Sequence, residues 1–444
     1  MRNLVEMRLS NVDKHARESE WAVRLCNYVD VHKHEYIGSE IDFMAATATA
    51  DEIARFGLAT GDVLITKDSE DWTDIGVPAV VEEAAQDVLC GYHLALLRPR
   101  AEQIRGPFLF RALQANAVAA QFHVRANGVT RYGLTQEAIK SIWLPVPPLA
   151  EQAAIARFLD HATSRISRYI RAKQKLIALL DEYKQVLIHE VVTGQIDVQT
   201  GKSYPEYRES GVEWIGNIPT HWKDASLRFA AKSIQIGPFG SQLHASDYVE
   251  GGTPVVNPSH LRDCRIEPDQ SVTINDQKGA ELARHRLEPL DIVMARRGEL
   301  GRCALVGERE AGWFCGTGSL RVRLDLEVAA PEFLVLVLGS NGTKDSLSLS
   351  SVGATMENLN SEIVSRLRVP LPPLREQRDI VNFVDNVNSH LEWSMGHIRG
   401  QISLLREYST RLIADVVTGK IDVRSTTAVR RYESDSAVAE QGEA

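Results

Sequence analysis

The chain has 444 residues, 44% of them hydrophobic and 25% charged, and a formal net charge of −9. That leaves room for two or three globular domains of ordinary composition. No apolar run is long enough to span a bilayer, "MRNLVEMRLSNVDK" does not read as a signal peptide, and the scattered cysteines form no C-x-x-C pair, so a reducing cytoplasm and no zinc site are expected.

Residues 1–142 read as a first globular part of mixed α/β (α+β) character. "DVLIT", "VPAVV" and "HLALL" read as strands, and "PFLFRALQANAVAAQF" (107–122) as a helix opened by a proline. "HKH" (32–34) has the look of a metal-ligand pair, but no partners lie nearby and a solvated loop is the plainer reading. Lys67 and Asp68 follow a strand. "QFHVRANGVTRYG" (121–133) reads as a polar loop carrying Arg125, Asn127, Thr130 and Arg131.

Next comes "LPVPPLAEQAAIARFLD" (144–160). A Pro-Pro pair forces the residues before it to be extended, and an early Glu suits a helix start. A helix is predicted from about 149 to 192, ended by the glycine of "TG" (193–194). Residues 143–202 form a first helical spacer.

Residues 203–367 read as a second globular part. Its strands are "DIVMA", "CALVG" and "LRVRL", and a helix follows Pro331. Its polar loops are "IGPFGSQLHASDYVEGG" (236–252), with Ser241, Gln242 and His244, and "LSLSSVGATMEN" (347–358), with Ser351 and Thr355. Arg296 and Arg297 lie at a strand end beside Gly298. Residues 368–423 form a second helical spacer with a helix from about 374 to 417, and the small polar tail 424–444 is expected to be disordered.

The two halves repeat each other. Pro148 matches Pro373, Glu151 matches Glu376, Asp160 matches Asp385, and "VVTGQIDV" matches "VVTGKIDV", all 225 positions apart. The offset also carries Cys90-Gly91 onto Cys315-Gly316 and Gly76 onto Gly301. Before that it slips by four, placing Asp62 opposite Asp291, with the difference in "SEDWTD" (69–74). So the chain is two copies of one unit, a globular part followed by a long helix.

Spacings of four and three along the helices pick out Ile155, Leu159, Ala162, Ile166, Tyr169, Lys173, Leu176, Leu180, Tyr183 and Leu187. In the second they pick out Ile380, Val384, Val387, Leu391, Ser394, Ile398, Gln401, Leu405, Tyr408 and Leu412. Such a seam predicts an antiparallel coiled coil holding two globular parts apart about a pseudo-two-fold axis. The alternative is two helices packed separately on their own domains.

There is no phosphate loop, no H-E-x-x-H, no Asn/Asp-Pro-Pro-aromatic tetrad and no Ser-His-Asp arrangement, so no catalytic residue is assigned. What remains is binding chemistry. Arg forks suit guanine, Asn and Gln suit adenine, and basic groups suit phosphate. The net charge speaks against a nucleic-acid coat, yet a local basic face suffices for DNA.

"YPEYRESGVEWIGNIPTHW" (204–222), the two P-P-L-x-E-Q junctions and the two "VVTGxIDV" endings resemble the specificity (S) subunits of Type I restriction-modification systems. The resemblance covers nearly the whole chain before residue 424. It implies two target-recognition domains, each reading one half of a bipartite double-stranded DNA sequence. It implies a docking surface for two methyltransferase (M) subunits near Pro148, Glu151, Gln152, Pro373, Glu376 and Gln377. Restriction/translocase (R) subunits would complete the complex. S-adenosylmethionine, ATP and Mg2+ would belong to those partners, with no cofactor in this chain. The first copy has no leader like 204–222 before it; a circularly related arrangement and an incomplete start both account for that. The rival reading is a coiled-coil interaction scaffold that binds no DNA, and an enzyme with a novel site comes third.

Overall fold

The computed structural model describes residues 1–262, 264–351 and 359–424, with nothing said of the side chains of residues 350 and 351. The chain divides into two compact units, Met1–Gln174 with Arg399–Ala444, and Lys175–Ile398. Each long helix therefore starts in one unit and ends in the other. Of the expected tail 424–444, residues 425–444 lie outside the described residues.

The first unit is built on a five-stranded sheet ordered Val5–Leu9, Leu94–Pro99, Val63–Thr66, Pro78–Val81 and Tyr36–Ile37. All neighbours are antiparallel except the last pair. Side chains alternate across a strand, so a strand covered on both faces reads as unbroken apolar sequence. Here Val63, Ile65, Ala95 and Leu97 face the helices Gly106–Gln114 and Asn116–Arg125 through Phe108, Leu109 and Phe122. Leu64, Leu94 and Leu96 face the opposite way into a second core with Leu25, Cys26 and Phe56. That core carries a three-stranded sheet, Met44–Ala48, Trp21–Cys26 and Val88–Cys90.

The second unit repeats the plan. Its antiparallel sheet runs Ala231–Ile236, Ser319–Leu324, Ile292–Ala295 and Cys303–Leu305. Ile292 and Met294 face one core, Val293 and Ala295 the other. Helices Pro331–Gly339 and Asn341–Ser351 stand 225 positions after their counterparts. The slipped register is correct as well: Val63–Thr66 and Ile292–Ala295 hold the same place in their sheets.

The single helix expected over 107–122 is two helices, broken at Ala115, whose ψ of 127° leaves the helical region. The break is invisible in the sequence because no glycine or proline marks it; Ala115 is fully buried and packing turns the chain there. Residues 121–125, expected in a loop, are the last residues of the second helix. Gly76 (φ +78°) shows why one repeated glycine matters: a Cβ there would lie 2.6 Å from the Phe122 ring.

The long helices are Leu149–Val192 and Leu374–Val417. Both end in Gly at positive φ, Gly194 (+74°) and Gly419 (+73°). Gln195 N–H donates to Glu190 O at 2.7 Å and Lys420 N–H to Asp415 O at 2.8 Å, the six-to-one bond of a Schellman cap. Pairing is antiparallel in each unit. In the first, Ile155 and Leu159 share a core with Leu412 and Val416, and Lys173 Nζ donates to Gln401 Oε1 at 2.7 Å. In the second, Leu187 and Val191 share a core with Ile380 and Val384, and Lys184 pairs with Glu392 at 3.2 Å.

The seam drifts from the expected one. Its ends are right, but Tyr169, Leu176, Tyr183 and Tyr408 are exposed. The covered positions run 155, 159, 162, 166, 170, 173, 177, 180, 184, 187 and 191, and 380, 384, 387, 391, 395, 398, 402, 405, 409, 412 and 416 in the second helix. That period is about 3.6 residues, the repeat of a straight helix, where a supercoil needs about 3.5.

Candidate nucleic-acid interface

Two kinds of polar residue emerge, those that hold the loops and those that the loops present. Asp62 and Asp291 belong to the first kind. Both are buried, and each accepts a forked pair of hydrogen bonds, from Arg98 at 2.9 and 2.7 Å and from Arg323 at 2.7 and 2.8 Å. Each also caps a turn, accepting from Ala59 N–H at 2.7 Å or Glu288 N–H at 2.8 Å. These bonds pin the chain entering each central strand, and Lys67-Asp68 and Arg296-Arg297 leave from the strands' other ends.

In the first unit most of the expected residues gather. Asp68–Ser69 pairs with Tyr132–Gly133, and Asn127 and Gly133 exchange main-chain bonds at 3.1 and 2.9 Å. This sets the exposed tip bearing Thr130 and Arg131 beside Lys67 and Asp68. Arg131 Nη2 reaches His93 Nδ1 at 2.9 Å, and His93 Nδ1 lies 3.3 Å from Asp68 Oδ2. Burial pushes the His93 pKa down, opposed by the Asp68 hydrogen bond and aided by Arg131. Lys67 also lines a cavity of about 520 Å³ with Asn11, Lys14, His15 and Tyr92. Arg125 stands apart: its Nε donates to Ser141 Oγ and its Nη1 to Gln121 O, both at 3.0 Å, so it braces the helix end.

In the second unit, loop 237–244 and the Arg296 strand end both lean on Gly316–Ser319. Gly237 N–H donates to Ser319 O at 2.9 Å, and Arg296 N–H to Gly318 O at 2.9 Å. Ser241, His244 and Arg297 are exposed. Gln242 is occupied, its Oε1 accepting from Phe239 N–H at 3.1 Å and Arg284 Nη2 at 3.2 Å. Arg296 is a correction: only 6% exposed, its N–H donates to Gly318 O and its C=O accepts from Leu359 N–H, both at 2.9 Å, and its Nε donates to Leu359 O at 3.1 Å. Through Nε it holds the chain at Leu359. The Ser351 side chain and Thr355 lie outside the described residues.

The junction residues divide as well. Gln152 and Gln377 are fully buried. Gln152 Oε1 accepts from Arg105 N–H at 2.9 Å while its Nε2 donates to Gln103 O and Pro147 O. Gln377 does the same with Ala330 N–H at 2.8 Å, Val328 O and Pro372 O. Both amides are spent inside the chain, clamping the helix start to the loop before the helix at 106 or 331, and they are closed to a partner. Glu376 accepts from Tyr204, His221 and Trp222 of its own unit. Pro148 and Pro373 are exposed, and Glu151 is partly so.

Sequence reasoning missed Tyr92, His93, Lys14 and His15. The usable signal was the repeated Cys-Gly pair: each opens a loop whose glycine packs against a facing backbone and side chain, Cys26-Asn27 for Gly91 and Val256-Asn257 for Gly316. The "HKH" stretch closes the first helix; His32 lies 3.5 Å from Asp74 and stacks on Tyr28. Among the described residues no group of three His, Cys, Asp or Glu is placed to hold a metal ion.

The profile of the Type I restriction modification DNA specificity domain matches residues 31–177 and 241–399. The chain belongs to this family. It is 20% identical over 314 residues to the Type I restriction enzyme EcoBI specificity subunit of Escherichia coli, covering 71% of this chain and 65% of that relative's length. It is similar in fold to a chain from a structural study of complex assembly and conformational transition of the type I R-M system (TM-score 0.68, 15% identity, 93% of this chain and 97% of that one). It is also similar to the HsdS subunit of Thermoanaerobacter tengcongensis (TM-score 0.51, 17% identity, 94% and 97%). The protein is thus a Type I specificity subunit with two repeated recognition domains, joined in sequence by a long helix. No helix among its described residues is long and apolar enough to cross a membrane.

Proposed function

We propose that this specificity subunit reads a bipartite DNA target in the cytoplasm, one half-site per unit, and catalyses nothing itself. The supporting observation is the double occurrence of one arrangement: a polar strand end beside a Cys-Gly loop, set by a buried Asp–Arg fork. Lys67, Asp68, Asn127, Thr130 and Arg131 are the reading residues of the first unit. Ser241, His244 and Arg297 are those of the second, with Thr355 retained from the sequence.

The long helices act as the ruler for the base pairs between half-sites. Their starts, near Pro148, Glu151 and Pro373, dock two methyltransferase subunits, and translocating nuclease subunits join those. S-adenosylmethionine, ATP and Mg2+ serve the partners. Titration with duplex DNA, with and without a methyltransferase partner and across a salt series, tests this. Affinity that needs the partner and falls steeply with salt supports the reading. The net charge of −9 keeps the scaffold reading alive; salt-insensitive association with protein alone supports that instead.

A further inference from the structure

Two cysteines of the second unit bring their sulfurs together. Leu261–Arg262 pairs antiparallel with Arg265–Ile266, and this hairpin packs against the strand Cys303–Leu305. Cys264 belongs to the hairpin and is exposed, and Cys303 opens the strand, opposite Met294, and is buried. The helix Pro331–Gly339 ends beside both. A Cβ on Gly339 would lie 3.6 Å from Cys264 Sγ and 3.7 Å from Cys303 Sγ, so the two sulfurs share the space that this glycine leaves. Cys303 Sγ donates to Val335 O at 3.5 Å, and a second hydrogen bond joins it to Cys264. Cys264 sits at φ 59°, which a residue other than glycine adopts only where its surroundings hold it.

The two thiols are unequal. The hydrogen bond with Cys264, and then burial, hold the Cys303 thiol well above its ordinary range. Cys264 instead lines a cavity of about 750 Å³ whose walls carry more cations than acids, Arg262, Arg265, Arg302 and Lys344 among them. Positive charge favours the thiolate, and the thiolate is the form that oxidants attack. An exposed thiol touching a buried one is therefore arranged for the first to be oxidised and the second to resolve it. The first unit has nothing equivalent. The 225-residue offset sets Pro78 on Cys303 and Gln114 on Gly339, and Cys26 and Cys90 are both buried. The pair is thus no requirement of the repeated fold.

We propose that Cys264 and Cys303 form a reversible disulfide on exposure to peroxide, clamping the hairpin of Cys264 to the strand Cys303–Leu305 in the second unit alone. First the Cys264 thiolate attacks one oxygen of hydrogen peroxide. An S–O bond forms, the O–O bond breaks, and the departing hydroxide takes up the thiol's proton as water. Then the Cys303 sulfur attacks the Cys264 sulfenic acid. The S–S bond forms, the S–O bond breaks, and the leaving hydroxyl carries off the Cys303 proton as a second water. Two thiols give up two electrons to one peroxide, and a dithiol returns them. In a reducing compartment such a bond is transient.

The test treats the full chain with a slight excess of hydrogen peroxide, then denatures it and titrates its thiols. Two of the five thiols are lost and the intact mass falls by two hydrogens. Peptide mapping without reductant finds Cys264 joined to Cys303 within one chain, and dithiothreitol restores both. Cys264→Ser changes an exposed position, so the fold stays intact, and every remaining thiol of that variant survives the same treatment. The proposal is overturned if all five thiols persist in the parental chain. It is overturned equally if Cys264 ends as a sulfinic acid or bonded to a second chain, since Cys303 is then out of reach. Oxidation of Cys303 in the Cys264→Ser variant also overturns it, because the exposed thiol is then not the point of entry.

Discussion

Replacing Gln377 by leucine keeps the volume of the side chain and removes all three of its hydrogen bonds. The Ala330 N–H (2.8 Å) loses its acceptor, and the Pro372 and Val328 carbonyls (2.8 and 3.2 Å) lose their donor. All of this happens at a fully buried position, where water cannot step in. An orphaned buried donor or acceptor costs about 1–3 kcal/mol, and carbonyls tolerate the loss better than N–H groups. The sum is about 4 kcal/mol. With a urea slope near about 2.5 kcal/mol/M, the second unit's unfolding midpoint falls by about 1.5 M. Gln152→Leu should do the same to the first unit and leave the second alone. Urea titration followed by tryptophan fluorescence and far-UV circular dichroism checks both. That these glutamines build the junction rather than touch a partner is the claim at stake. It is refuted if Gln377→Leu unfolds at the parental urea concentration and yet fails to bind a methyltransferase subunit.

The other predictions concern loops, forks, helix length and acid. Arg297→Ala should keep parental stability and weaken recognition at the second half-site by about 1–3 kcal/mol, read by binding to duplexes altered one half at a time. Arg296→Ala should instead destabilise the second unit; equal loss of discrimination at both half-sites would sink the idea of separate readers. Asp291→Asn or Asp62→Asn should cost about 1–3 kcal/mol in denaturant, because each takes the charge out of a buried fork; the Asp291 loss should be the smaller, since Arg323 keeps Glu288 at 2.8 Å. Removing seven residues from the middle of each long helix shortens it by about 10 Å; methylation mapping should show a changed spacer and unchanged half-site sequences. His285 is buried and its pKa is lowered to about 4, first by loss of solvent and then by Arg284 and Arg321. Its contribution is complete above the ordinary value of about 6.5 and is lost as pH falls toward about 4, by up to about 3 kcal/mol. Acid unfolding of His285→Gln should lack that slope.

What the sequence revealed, it revealed through patterns that one physical cause produces. Apolar runs such as "VLIT" and "IVMA" became strands because both faces of each sheet are covered, so nothing interrupts the run. The helix ends at Gly194 and Gly419 were legible because only glycine takes that backbone conformation cheaply. Arg296 and Arg297 show where this stops. Adjacent arginines at a strand end look alike in one dimension, but successive side chains point opposite ways, so one is buried against Leu359 and the other faces solvent. The P-P-L-x-E-Q repeat was legible as a repeat, and its cause was not. A glutamine conserved between two copies fits a docking surface and a buried clamp equally well until its partners are known.

The long helices carry the same lesson over a greater distance. A four-three count fits the first few turns of a 3.5 and of a 3.6 repeat alike, since they differ by about 20° per seven residues. Ile155 to Ile166 and Ile380 to Leu391 therefore satisfy both. By the middle of the helix the error reaches a whole position. Tyr169 gives way to Ile170 and Leu176 to Ile177, and in the second helix Ser394 gives way to Met395 and Gln401 to Ile402. The misfits were visible beforehand: the heptad count had to admit a serine and a glutamine to its apolar seam, while Met395 and Ile402 stood one residue away. Polar residues at supposed core positions call the assumed period into question, and shifting to 3.6 replaces that serine and glutamine by Met395 and Ile402, while Lys173, Lys184 and Ser409 remain half-buried in the seam. Each seam then follows one face of its helix at the period of a straight helix.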